Sequence, residues 1–152
     1  MAMNIERKKD LSIYYWLTNL FSTAPFVKIE DGFPVSDLQV PCVSVESQQL
    51  VLNPLELGNH HGYRRVLYRI DVFAENKSQR DEMGYRILDN IEDVIPVYDY
   101  DEGFPPSVSP TQIGVLLTDD IKMQIIRVNP NLVSKLYWRA AVTFTALYQT
   151  II

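Results

Sequence analysis

One cysteine, two histidines and six glycines in 152 residues leave little material for several kinds of chemistry. The lone Cys42 excludes an intramolecular disulfide and any multi-cysteine metal site. It lies in the apolar stretch Val40-Pro41-Cys42-Val43 and reads as a buried small hydrophobe. The glycines are mostly isolated, and they form neither a Walker-type loop nor a G-x-G-x-x-G turn to cradle phosphates. No G-x-S-x-G elbow presents a serine nucleophile. Positive charge is also short: 14 Lys and Arg against 19 Asp and Glu give a net charge of −5. That sign opposes wrapping nucleic acid through its phosphates, although it is compatible with a passage through which DNA slides. No segment approaches the roughly 20 apolar residues that cross a bilayer. The start, Met1 to Asp10, is charged rather than hydrophobic, so the expectation is a protein without a secretory signal, made in a cytoplasm.

The polar clusters that remain have bland explanations. His60 and His61 are adjacent, and neighbours in extended chain point to opposite faces, so a shared metal is disfavoured. Glu56 is the only nearby carboxylate, and the pair reads as a solvated loop tip. Glu30-Asp31, Asp119-Asp120 and Asp99/Asp101 fall in expected turns, where paired acids are ordinarily solvated. The expectation is a protein that is not an enzyme and holds no metal and no cofactor.

What the chain does have is alternation. From Leu136 to Tyr148, Leu136, Trp138, Ala140, Val142, Phe144, Ala146 and Tyr148 fall on one side. Tyr137, Arg139, Ala141, Thr143, Thr145 and Leu147 fall on the other. A period of two marks a β-strand, and this one is longer than most. Arg64 to Ala74 alternates as cleanly, with Val66, Tyr68, Ile70 and Val72 on one face. Shorter strands are expected at Phe26–Ile29, Pro41–Glu46, Val97–Asp101, Ile113–Leu117 and Ile121–Val128, the last two separated by Asp119-Asp120. Glu102–Pro110, with one glycine and three prolines, reads as a loop, and Asn129-Pro130-Asn131 as a turn.

Two helices are expected. The first starts from Asp10 as N-cap, with Ile13, Leu17, Leu20 and Phe21 at helical spacing, and the charged run Glu6-Arg7-Lys8-Lys9 can add an exposed turn before it. Tyr14, Tyr15 and Trp16 widen its apolar stripe, either against a broad sheet or against another subunit. The second starts at a capping-box-like Ser78/Asp81, carries Met83, Ile87, Leu88, Ile91, Val94 and Ile95, and stops at Pro96. Helix, strands, helix, strands with short links describe a single α+β domain over residues 1–152. Its mainly antiparallel sheet carries both helices on one face, with projecting loop or hairpin arms. Arg64, Arg65, Arg69 and Arg139 form the main basic set in that sheet. They serve either in cross-strand pairing with Asp71 and neighbouring acids or in intersubunit salt bridges.

Three stretches taken together resemble a known family. An N-terminal helix precedes Val40-Pro41-Cys42-Val43-Ser44-Val45. Leu57-Gly58 is followed by a strand ending Ile70-Asp71-Val72-Phe73-Ala74 and a helix opening Ser78-Gln79-Arg80-Asp81-Glu82. Arg127-Val128-Asn129-Pro130-Asn131 leads into a strand carrying Tyr137-Trp138-Arg139. This order, running from Asn4 to Thr150, is similar to that of the tail terminator, or tail completion, proteins of tailed bacteriophages.

The resemblance implies a virion structural protein at the head–tail junction, assembled as a hexameric ring. Such a ring caps the tail tube, ends its elongation and joins it to the head-side connector or neck protein, with DNA only in transit through the lumen. In a contractile tail it also meets the last sheath ring. No membrane is involved, and there are no catalytic residues to carry over. On this reading Leu50, Leu52, Leu55 and Leu57 form an apolar arm, and Tyr98, Tyr100 and Phe104 belong to a second projecting surface. With Arg64, Arg65, Arg69 and Arg139 these are the candidate subunit or neighbour contacts, while Asp119 and Asp120 are candidates for the lumen wall. The alternatives are another neck, head-closure or tube-related ring protein or, in a different class, a small cytosolic ligand-binding or enzymatic domain. A concave pocket with a perturbed carboxylate, or with His60 and His61 converging on it, would favour the last.

Overall fold

The protein is described from a computed structural model that covers residues 2–24, 26–32, 39–53, 63–91, 94–126 and 137–150. Helix α1 spans Ile5–Leu20, strand β1 Lys28–Asp31, β2 Cys42–Asn53 and β3 Tyr63–Ala74. Helix α2 spans Lys77–Asn90, followed by β4 Val94–Tyr98, β5 Gln112–Ile126 and β6 Trp138–Thr150. Among the described residues the six strands form one sheet in the order β1-β2-β3-β6-β5-β4. All pairs are antiparallel except β1 with β2. The fold is α+β, as the element order predicts.

The alternation seen in the sequence becomes the two faces of this sheet. Val66, Tyr68, Ile70 and Val72 of β3 are buried with Ala140, Val142, Phe144 and Ala146 of β6, their direct neighbours in register. Onto that face pack Ile13, Leu17 and Phe21 of α1 and Met83 and Ile87 of α2, in one continuous core. Each aliphatic side chain so buried contributes roughly 1.5–3 kcal/mol. At Gly84 an added Cβ would meet the Met123 side chain at 2.4 Å, so α2 lies directly against β5 there. The sheet is curled. Helix α1 touches both of its edge strands, binding Asp31 of β1 through Arg7 and the backbone N–H of Tyr98 in β4 through Ser12 Oγ.

Several element boundaries differ from the sequence expectation, each for a local reason. Helix α1 starts at Ile5, six residues before the Leu11 start that an Asp10 cap implies: Asn4 is the N-cap, its side chain accepting from Glu6 N–H at 2.9 Å. Glu6 to Lys9 are therefore helical, and Lys8 and Lys9 are buried rather than on an exposed turn. Helix α2 is capped by Asn76, whose side chain accepts from Gln79 N–H, while Gln79 Oε1 accepts from Glu75 N–H. It ends at Asn90, so Val94, Ile95 and Pro96 belong to β4. Pro96 sits in an edge strand, where a missing N–H is tolerated and blunts the edge. The segments expected as two strands around Asp119-Asp120 are one strand, β5, with a bulge between Asp119 and Lys122 and Asp120 at φ +53°. β2 continues well past Glu46, to Asn53. The expected turn at Asn129-Pro130-Asn131 lies outside the described residues.

Candidate interaction surfaces

The sequence candidates separate into three groups once placed. The first is the far half of the β2/β3 hairpin. β1 pairs with β2 only from Cys42 to Val45, and those residues are buried. From Glu46 to Leu52 every β2 residue is exposed, including Leu50, Val51 and Leu52. Three consecutive exposed apolar residues on an extended strand form an apolar patch, with no strand paired to its outer edge among the described residues. Arg64 and Arg65 sit opposite Leu52 and Val51 in register, on opposite faces of the sheet. Arg64 lies on the helix side, 3.5 Å from Glu6, which also binds Lys9 at 2.9 Å. Arg65 points to the other side and is exposed. Leu55 and Leu57, like His60 and His61, lie outside the described residues.

The second group is the loop after β4, which carries no helix or strand between Tyr98 and Gln112. Its aromatic half folds back on α1. Tyr14 meets Phe104 edge-on at 5.6 Å, Phe104 meets Tyr100 at 5.1 Å, and Tyr15 meets Tyr98 at 5.9 Å. Tyr100 is buried, so it offers no side-chain surface to a neighbour. The loop is also held by charge: Lys8 Nζ lies 3.0 Å from Asp99 and 2.9 Å from Asp101, which also accepts from Met3 N–H. The bond to Asp101 raises the Lys8 ammonium above its ordinary range and lowers the Asp101 carboxyl below its own. The aromatic stripe of α1, read as facing either a sheet or a subunit, thus meets this loop in part. Sequence inspection could not connect Lys8 with acids so distant along the chain.

The third group lies on the face of the sheet away from the helices. Asp71 is buried, and it receives Arg69 Nε at 3.1 Å and Arg139 at 2.9 Å from the neighbouring strand. Arg139 also stacks over the Phe73 ring. The geometry is the cross-strand arrangement around Asp71, with both guanidinium groups directed into the subunit's own sheet. Asp119 and Asp120 are exposed at the β5 bulge, where Asp120 pairs with Lys122 at 3.4 Å.

One feature was not expected from the sequence. A groove of about 350 Å³ lies between α1, the end of β1 and β2, lined by Arg7, Asp10, Asp31, Val45 and Glu46. Burial pushes the Asp10 carboxyl up to about 6, with Arg7 opposing the shift and Asp31 and Glu6 adding to it. Arg7 is bound to Asp31 and lies 3.9 Å from Asp10. Cys42 is buried, and burial pushes its thiol up to about 11, so it is a packing residue and not a nucleophile. Among the described residues no group of three His, Cys, Asp or Glu side chains gathers to hold a metal ion. Among them, too, no helix is long and apolar enough to cross a membrane.

The chain matches no protein-family model and none of the curated proteins against which it was compared.

Proposed function

We propose that this protein is a virion structural subunit that assembles into a ring at the head–tail junction of a tailed bacteriophage, as a tail terminator. The observation that carries the reading is the abrupt change along β2 at the end of β1. Cys42 to Val45 are buried, and Glu46 to Leu52 are exposed with Leu50, Val51 and Leu52 among them. A strand half inside its own fold and half apolar in solvent is what a subunit offers to a neighbour. The acidic balance fits a lumen through which DNA passes without binding. The ring's partners are then further copies of the chain, the tail tube protein on one side and the head-side connector on the other.

The groove around Asp10 favours a second reading, a small ligand-binding domain. A concave site holding a carboxyl raised to about 6 is a usual sign of chemistry. Its one cation among the described residues, Arg7, is however already bound to Asp31. No nucleophile and base are paired across it among the described bonds.

Light scattering on the purified chain, then negative-stain imaging with and without phage tail tubes, tests the proposal. Rings of about six copies, or caps on tube ends, are the expected result. A monomer that ignores tube ends would overturn it and leave the groove as the site to pursue.

A further inference from the structure

Resting on the ring reading, we propose that the subunits join by strand pairing, the open edge of β2 in one copy lying antiparallel to the open edge of β5 in the next. Among the described residues the sheet has two overhangs, not one. β1 covers the outer edge of β2 only at Cys42–Val45. β4 covers the outer edge of β5 only from Gln112 to Leu117. Among the described residues nothing pairs with the outer edge of β2 over 46–53 or with that of β5 over 119–126. These stretches are of matching length and lie on opposite edges of the sheet, at opposite ends.

That placement forms a lap joint. β2 and β5 run in opposite directions within one subunit, since β3 and β6 lie between them and every intervening pair is antiparallel. A second copy in the same orientation, shifted along the strand direction, sets its β5 overhang antiparallel against the β2 overhang of the first. The β1 of the first copy and the β4 of the second then stand beyond the two ends of the joint and limit sliding. The contact is heterologous, one edge meeting a different edge, which propagates from copy to copy instead of stopping at a dimer and forms a ring where the rotation closes. A stagger between neighbours is what a closed sheet of tilted strands requires.

Side chains agree with this alignment. Leu50 and Leu52 lie on the helix-covered face of β2, in register with Val66 and Arg64. Met123 and Ile125 lie on the same face of β5, in register with Val142 and Ala140, and are only partly buried. Joining the edges lets these two half-covered apolar rows continue one another. On the opposite face Arg65, in register with Val51, and Asp119, in register with Thr145, are both exposed and carry opposite charge. In the joint Asp119 approaches the 53 end of β2, next to the strand that carries Arg65.

The test uses the full chain, whose native Cys42 is buried and stays silent to maleimides. Val51→Cys and Lys122→Cys, both at exposed positions, are made singly and together and treated with a short bis-maleimide. The expected result is a ladder of cross-linked oligomers from the double variant. A mixture of the two single variants yields dimer only, and neither single variant alone cross-links above background. In the charge arm, Arg65→Asp and Asp119→Arg each weaken cross-linking about fivefold, and the two together restore it. Dimers from Val51→Cys alone would mean a two-fold β2–β2 contact and would overturn the joint, as would a double variant that remains monomeric. Rings on tube ends without a Val51–Lys122 ladder would sink the joint and leave the terminator reading standing. A ladder from a protein that ignores tubes would do the reverse.

Discussion

The two faces of this sheet use the same alternating strands for opposite purposes. On the helix side, Tyr68 and Phe144 are register partners with rings 5.6 Å apart, sealed with Ile70, Val142 and the aliphatic stripes of both helices. On the other side, the next positions along the same strands are Arg69, Asp71, Arg139 and Thr143, the first three held together by charge. Stability resides on the first face in packing, which depends on shape. On the second, Phe73 and Ala141 are buried beside one nearly inaccessible carboxylate, which depends on keeping its partners. The overhanging ends of β2 and β5 belong to neither regime: each carries a bulge, and their apolar residues are exposed at Leu50, Val51 and Leu52 and half-buried at Met123 and Ile125.

The largest test of that contrast compares adjacent residues on β6. Phe144→Ala removes a fully buried ring and its contact with Tyr68, and should cost about 3–5 kcal/mol in urea unfolding. Thr143→Ala, one residue away on the opposite face, should stay within about 0.5 kcal/mol. Similar losses at both positions would mean that the second face is covered as thoroughly as the first.

Next in size is Asp71→Ala. Although it faces away from the helices, its side chain is nearly inaccessible and compensates Arg69 and Arg139, the latter itself largely buried. Removing it takes away the buried carboxylate that both guanidinium groups share, with an expected loss of about 2–3 kcal/mol. Exposed ion pairs fade with salt and buried ones do not, so the loss should persist in 1 M NaCl. An effect that disappears in salt would demote the Asp71 cluster to an ordinary surface pair.

The same two faces explain how far the sequence could be read. Strict alternation over Arg64–Ala74 and Leu136–Tyr148 predicts β3 and β6 and their buried sides, because a period of two leaves no other arrangement. Boundaries failed where a local signal has two meanings. Val94 and Ile95 continue the apolar spacing of α2, and Pro96 reads as its stop, yet these residues pair with Leu117, Leu116 and Val115. Asp119-Asp120 looks like a turn, but a bulge accommodates the same positive φ without ending the strand. Glu6 to Lys9 looks solvated because its partners Arg64, Asp99 and Asp101 are remote in sequence. Of the candidate contacts, Leu50 and Leu52 read from the sequence as part of an apolar arm, and both are exposed on β2. The inward direction of Arg69 and Arg139 and the burial of Tyr100 depend on register and loop packing, which no local pattern encodes.

The smallest expected effect is at the centre of the covered face. Tyr68 is fully buried, and its hydroxyl has no hydrogen-bond partner among the described residues. Burial, with Asp10 and Glu6 nearby, holds the phenol well above its ordinary range, so it stays protonated and needs an acceptor that the surrounding aliphatic side chains lack. An unsatisfied buried hydroxyl costs about 1–3 kcal/mol in desolvation, whereas the ring contributes through its stack with Phe144. Tyr68→Phe keeps the ring and removes the orphan oxygen. The expected change is between zero and about 1 kcal/mol of added stability in urea unfolding, the reverse in sign of Phe144→Ala. A loss of 1 kcal/mol or more would show that the hydroxyl is satisfied. The covered face would then contain a polar bond at its centre, and its contrast with the Asp71 face would be one of degree.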